Sequence, residues 1–210
     1  MLASGMQRQL DLFGARRVGF DVGFDPSFAQ LRRDELTDGA WIDHAPGWVR
    51  GHDALFEQLE AELDWRTEER RMYDRVVMTP RLLARIPASA VAGGAIEDMR
   101  RALSERYGED FVRTTAALYR DGNDSVAWHG DTTARDMDTA IVATISLGQP
   151  RKFLLRPTAG GASITYQLGR GDLVVMGGTC QRTWRHAIPK VAQAPGPRIA
   201  VMFRPAWSAY

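Results

Sequence analysis

Apolar positions recur at helical spacing in the first half of this chain and alternate in the second, so the pattern divides it into a mixed front and an all-β back. Leu55, Phe56, Leu59 and Leu63 share one face of a helix beginning near Asp53, whose carboxylate can cap the free amides of the first turn. Met99, Leu103 and Tyr107 mark the buried side of a second helix from about Ala95 to Tyr107, and Gly108 is placed to end it. From Thr114 onward the period drops to two. The predicted strands are Ala116 to Tyr119, Ala140 to Ser146, Lys152 to Arg156, Ser163 to Gln167, Asp172 to Met176 and Ile199 to Arg204. Between them lie turn formers such as Asp121-Gly122-Asn123-Asp124, Gly148-Gln149-Pro150, Gly160-Gly161 and Gly169-Arg170-Gly171-Asp172. The expected class is α+β with a mainly β core.

Composition narrows this further. A chain of 210 residues that is 44% hydrophobic can bury one substantial core. No apolar run has the length of a membrane span. The opening Met1-Leu2-Ala3-Ser4-Gly5-Met6 lacks the basic and apolar regions of a secretory signal. Cys180 is the single cysteine, which excludes an intrachain disulfide and suits a reducing compartment. A cytoplasmic monomer without membrane contact is therefore expected. The net charge of +1 does not announce a nucleic-acid binder. Its distribution says more: Arg66, Arg70, Arg71, Arg75, Arg81 and Arg85 crowd one stretch, diluted by Glu68, Glu69 and Asp74. Trp65, Met72 and Tyr73 interleave with them, as a surface that clamps phosphates and stacks a base requires, although salt-bridged surface and core account for them equally well.

The candidate chemistry lies in His129-Gly130-Asp131 and His186. Side chains on a strand alternate faces, so His129 and Asp131 can point the same way. Two imidazoles and one carboxylate leave open positions on Fe(II) for a cosubstrate and oxygen. The same donors describe a hydrolytic zinc site, so the residues alone leave both metals in play. Even spacing also puts Arg198 and Arg204 on one face of the last strand, opposite Ile199, Val201 and Phe203. Two inward guanidiniums near such a triad suit a dicarboxylate; on an edge strand they would be ordinary surface residues.

Further blocks accompany these residues in order. They are Leu118-Tyr119-Arg120-Asp121-Gly122, Trp128-His129-Gly130-Asp131, Ile145-Ser146-Leu147-Gly148, Gly171 to Gly178, Trp184-Arg185-His186 and Arg198 to Arg204. Together, from about Trp65 to Pro205, they resemble the AlkB family of 2-oxoglutarate- and Fe(II)-dependent nucleic-acid dealkylases. The resemblance implies His129, Asp131 and His186 as iron ligands, Tyr119, Arg198 and Arg204 as 2-oxoglutarate contacts, and O2 as the oxidant. It implies a double-stranded β-helix, a form of jelly roll, over about residues 114–206, after an α/β extension at about 19–113 that forms a nucleotide-recognition lid. The lid assigns Tyr73 and Arg81 to substrate, and Thr133 and Arg135 follow the metal aspartate as further substrate contacts. The activity implied is removal of N-alkyl lesions, such as 1-methyladenine and 3-methylcytosine, from DNA, with release of formaldehyde and succinate. RNA or another methylated substrate is the alternative.

The chain departs from the family pattern at three positions. Ala117 and Ala200 stand where many members carry asparagine, and each lost amide removes about 0.5 to 3 kcal/mol of hydrogen bonding. Weaker 2-oxoglutarate binding is expected, and a DNA-binding accessory protein without turnover is the reading from another class. Thr133 replaces an acidic residue that meets cationic bases in some members; Asp136 or Asp138 could supply that charge. At the front, within a tail expected to be flexible over residues 1–18, Gln9-Leu10-Asp11-Leu12-Phe13 resembles the peptide by which bacterial repair proteins dock on the sliding clamp. Gln9, Leu10, Leu12 and Phe13 would make that contact, unless the segment packs on the domain as a strand or staple.

Overall fold

Each short alternating run of the second half finds partners on both sides, except the one that forms a sheet edge, and the result is two antiparallel sheets. The computed structural model describes residues 22–72, 75–87, 93–131, 133–193 and 196–206. The front of the chain forms β1 (Gly23–Phe24), β2 (Arg32–Glu35), β3 (Ala40–Ala45), β4 (Val49–Arg50), α1 (His52–Glu62), β5 (Arg66–Met72), β6 (Arg75–Arg85) and α2 (Gly93–Tyr107). It continues with β7 (Phe111–Tyr119), β8 (Val126–His129), β9 (Val142–Gly148), β10 (Arg151–Pro157), β11 (Ile164–Leu168), β12 (Asp172–Gly178), α3 (Cys180–Thr183), β13 (Trp184–Ile188) and β14 (Arg198–Pro205). One eight-stranded sheet has the order β2-β3-β12-β9-β14-β7-β6-β5, and a four-stranded sheet the order β11-β10-β13-β8. This is the jelly-roll arrangement, with the front of the chain extending the larger sheet at both ends.

The alternation in β14 sorts its side chains between two cores. Ile199, Val201 and Phe203 are fully buried with Leu55, Leu59, Met99 and Leu103 of the two helices. Each such side chain contributes about 1.5 to 3 kcal/mol by leaving water. Ala200, from the opposite face, joins Ala117, Tyr119, Phe153, Leu155, Leu168 and Trp184 between the sheets. Trp184 and Cys180 are thus core residues, and burial pushes the Cys180 thiol up to about 12.

The six predicted strands are all present, most of them longer than their patterns. In the front half β1 to β6 were not predicted, and in the second half two strands escaped the pattern, β8 and β13. Each is short and mixes histidine and tryptophan with small or charged residues, so its pairing comes from its neighbours rather than from its own periodicity. The start of α1 also differs: Gly51, at φ 65°, occupies the cap position with no side-chain cap, and Asp53 lies inside the first turn. There its charge faces the positive end of the helix instead of capping it. α2 ends as expected, with Gly108 at φ 67° and its N–H donating to the Ser104 carbonyl. The arginine-rich stretch forms the β5–β6 hairpin, joined to the main sheet through Leu82–Leu118 and Leu83–Ala117. Trp65 beside it is structural, packed on the helix-side core with its indole N–H donating to the Glu60 carbonyl at 3.0 Å. Tyr73 and the Gln9–Phe13 motif lie outside the described residues. Among the described residues no helix is long and apolar enough to cross a membrane.

Candidate active site

Antiparallel pairing of β13 with β8 sets His186 directly opposite His129, their ring centroids 4.2 Å apart. Asp131 completes the group, and ligand atoms of the three residues all lie within 4.8 Å of one another. Strand alternation accounts for His129 only, because β8 ends there and Asp131 stands on the following turn. Gly130 makes that turn possible: a Cβ there would lie 2.3 Å from the Gln181 carbonyl oxygen of α3. Gln181, a residue the sequence did not single out, also accepts the Asp131 N–H on its side-chain oxygen at 2.9 Å. Gly130→Ala should therefore displace Asp131, lowering stability by about 1 to 3 kcal/mol and weakening metal binding; thermal melts and a metal titration read both.

Each donor is aimed. His129 Nδ1 lies 2.9 Å from the Ala127 carbonyl, which can only accept, so the proton sits on Nδ1 and Nε2 presents its lone pair. His186 is buried against Phe153, ring centroids 5.5 Å apart. Burial, with His129 beside it, pulls the His186 imidazole down to about 3, so it is neutral near pH 7. Burial alone would raise the Asp131 carboxyl, but the Arg204 guanidinium, together with His186 and His129, outweighs it and holds the group below the usual carboxylate range. Arg204 Nε donates to Asp131 Oδ2 at 2.6 Å and its Nη1 to Thr115 Oγ1 at 3.1 Å. Arg204 thus grips the carboxylate of the candidate metal triad while lining the cavity.

That cavity, of about 870 Å³, opens between the sheets. The triad and Arg204 line it together with Tyr119 and Arg198. Arg198 is only 2% exposed. Its Nη2 donates to Ser146 Oγ at 2.7 Å, while Nε and Nη1 have no hydrogen-bond partner. Burial drags this guanidinium below its ordinary value, with Tyr119, whose ring lies 5.3 Å away, opposing the shift. Orphaned buried donors are costly, and a carboxylate would satisfy them in a bidentate fork. The set fits Fe(II) with a dicarboxylate: two neutral imidazoles and an ionised carboxylate at one place, and an unsatisfied guanidinium lining the same cavity. A hydrolytic zinc site has no use for the second feature.

Further side chains brace or line the site, and of these Arg151 was not singled out by the sequence. Arg151, 2% exposed, donates to the carbonyls of Asp121, Asp124 and Pro189, each at 2.9 Å, and its guanidinium lies 5.8 Å from the Tyr119 ring. It ties the loop after β7 to the end of β13. In the sequence it resembled any surface arginine after a turn. Arg81 is also buried, 8% exposed, with a 3.5 Å contact to the Ser125 carbonyl and its Nε unpartnered; it lines the cavity with Asp64, Arg66 and Arg85 of the hairpin region. Thr133 and Arg135 fall in a short 3-10 turn after Asp131, and their side chains are outside the described ones. Asp138 is exposed and meets Arg182 at 3.3 Å.

A family model described as "2OG-Fe(II) oxygenase superfamily" matches residues 36–204. The chain belongs to that superfamily. It is 29% identical over 182 residues to the alpha-ketoglutarate-dependent dioxygenase alkB homolog 3 of Bos taurus, covering 76% of this chain and 64% of that protein. It is 24% identical over 190 residues to the DNA oxidative demethylase ALKBH2 of Arabidopsis thaliana, covering 71% of this chain and 60% of that one. The chain thus spans less than two thirds of the length of these relatives. In fold it is similar to the prolyl hydroxylase of Trichoplax adhaerens, solved with a hypoxia inducible factor peptide, at a TM-score of 0.59, 12% identity and coverage of 83% and 89%.

Proposed function

We propose that this protein is an oxidative demethylase of alkylated nucleic acid, with DNA carrying 1-methyladenine or 3-methylcytosine as its substrate. The observation that carries the reading is a His-Asp-His triad in the same cavity as a buried guanidinium whose Nε and Nη1 lack partners. The names of the relatives support the nucleic-acid target. His129, Asp131 and His186 would hold Fe(II), and Arg198 with Tyr119 would hold 2-oxoglutarate. When bound, Fe(II), 2-oxoglutarate and O2 hydroxylate an N-linked methyl group, yielding succinate and carbon dioxide and, on loss of the hydroxymethyl carbon, formaldehyde and the unmodified base.

The chain's own residues position and exclude. Ser146 holds Arg198 by Nη2, which leaves Nε and Nη1 for the cosubstrate. Arg204 keeps Asp131 ionised and oriented. Val126, Phe153, Leu168 and Ile188 line the cavity from the four-stranded sheet and keep water from the reacting methyl. Arg81 supplies a buried positive charge for a phosphate or a base carbonyl. A target base must leave its stack to reach the triad, a cost of a few kcal/mol that is smaller for a lesion that pairs badly.

The test is an anaerobic Fe(II) and 2-oxoglutarate titration of wild type and His129→Ala, followed by oxygen and oligonucleotides bearing either lesion, as DNA and as RNA. Formaldehyde release by wild type and none by the variant is expected. Absence of metal-dependent demethylation on every oligonucleotide overturns the reading, and turnover confined to RNA moves the substrate.

A further inference from the structure

The register of the large sheet lays the cavity wall out as rows of side chains. Tyr119 pairs with Arg198 in one row. Arg85, Thr115, Met202 and Thr144 are neighbours in another. Between these two rows Ala117 stands directly opposite Ala200, flanked by Leu83 on one side and Ser146 on the other. Both alanines are buried and both line the cavity. Directly opposed side chains on neighbouring strands have Cβ atoms about 5 Å apart, so two methyl groups between rows of Tyr, Arg, Thr and Met leave a notch. The Arg198 guanidinium, 2% exposed with Nε and Nη1 unpartnered, lines the same cavity. The smaller sheet offers apolar groups, Val126, Phe153, Leu168 and Ile188, to the same space.

Resting on the cosubstrate reading above, we infer that the Ala117–Ala200 notch sets cosubstrate specificity by admitting 2-oxo diacids with an alkyl branch on the carbons between their two ends. Arg198, held by Ser146, and the triad fix the diacid at its two ends, so its length is restricted. Its width beside the alanines is not. A methyl branch enters apolar space and leaves water, whereas one extra carbon in the main chain strains the contact at one end. The site should therefore accept 3-methyl- and 4-methyl-2-oxoglutarate and reject 2-oxoadipate.

The experiment is calorimetric titration of the full chain loaded with Mn(II), without oxygen, against 2-oxoglutarate, the two methylated diacids and 2-oxoadipate. A methylated diacid should bind wild type within about threefold of 2-oxoglutarate, and 2-oxoadipate at least about tenfold more weakly, the penalty expected of overfilling a packed site. Ala200→Val fills the notch, and the ratio of methylated to unmethylated dissociation constants should rise by about tenfold. Ala117→Val repeats the test from the opposite strand. If 2-oxoglutarate binds wild type and neither methylated diacid does, or if both valine variants leave the ratio unchanged, the inference is overturned while the demethylase reading stands. If 2-oxoglutarate itself fails to bind, the cosubstrate reading falls and the inference with it.

Discussion

Arg198→Met should make the ligand-free protein more stable and its cosubstrate binding far weaker. The guanidinium is buried with two nitrogens unpartnered, and replacing such a group by an apolar side chain of similar length removes an uncompensated penalty. The gain is about 1 to 2 kcal/mol, or about 2 to 8 °C in melting temperature for a chain of this size. Loss of a charged, hydrogen-bonded partner from 2-oxoglutarate costs about 2 to 5 kcal/mol, a rise in its dissociation constant of about thirtyfold to several thousandfold. Scanning calorimetry of the ligand-free protein and a 2-oxoglutarate titration measure the two effects. A fall in melting temperature with unchanged affinity would show that Arg198 is a structural residue.

Asp131→Asn should separate metal binding from folding. The amide keeps the shape of the carboxylate but not its charge, so the metal would lose an anionic ligand and Arg204 keeps at most a neutral oxygen where a carboxylate stands 2.6 Å from its Nε. Metal affinity should fall by at least about a hundredfold, beyond what loss of an outer partner costs, and metal-dependent turnover with it. Stability should fall by about 1 to 3 kcal/mol, the penalty for a part-buried cation left without its opposite charge. The double variant Asp131→Asn, Arg204→Met should recover most of the stability and none of the metal binding. Additive stability losses in that cycle would mean the two side chains are not coupled.

These outcomes depend on contacts of unequal visibility in the chain itself. The β14 alternation was plain because a half-buried strand must send every second residue to each side, so Arg198 and Arg204 were separable from Ile199, Val201 and Phe203 by spacing alone. β8 and β13 were not visible, because four or five residues containing histidine and tryptophan carry no periodicity of their own. Their strands exist because β10 and each other supply partners. The front of the chain read as an extension of the core within one domain, but that its strands continue the main sheet was not visible, since β pairing joins segments far apart in sequence. Gln181, Ser146 and Arg151 gave no signal, each being a common residue type whose role is decided by what stands opposite.

Local order along the chain determined the two long helices, the six predicted strands of the second half, the three candidate metal-binding side chains and the arginine pair, because these follow from backbone periodicity and from the chemistry of the residues themselves. The fold alone decided that Arg204 grips Asp131, that Arg198 is buried with idle donors, that Gly130 must stay bare against α3, and that two alanines meet in the cavity wall. Those facts arise where strands distant in sequence are brought into register, and no spacing within one segment encodes the partner that another will present.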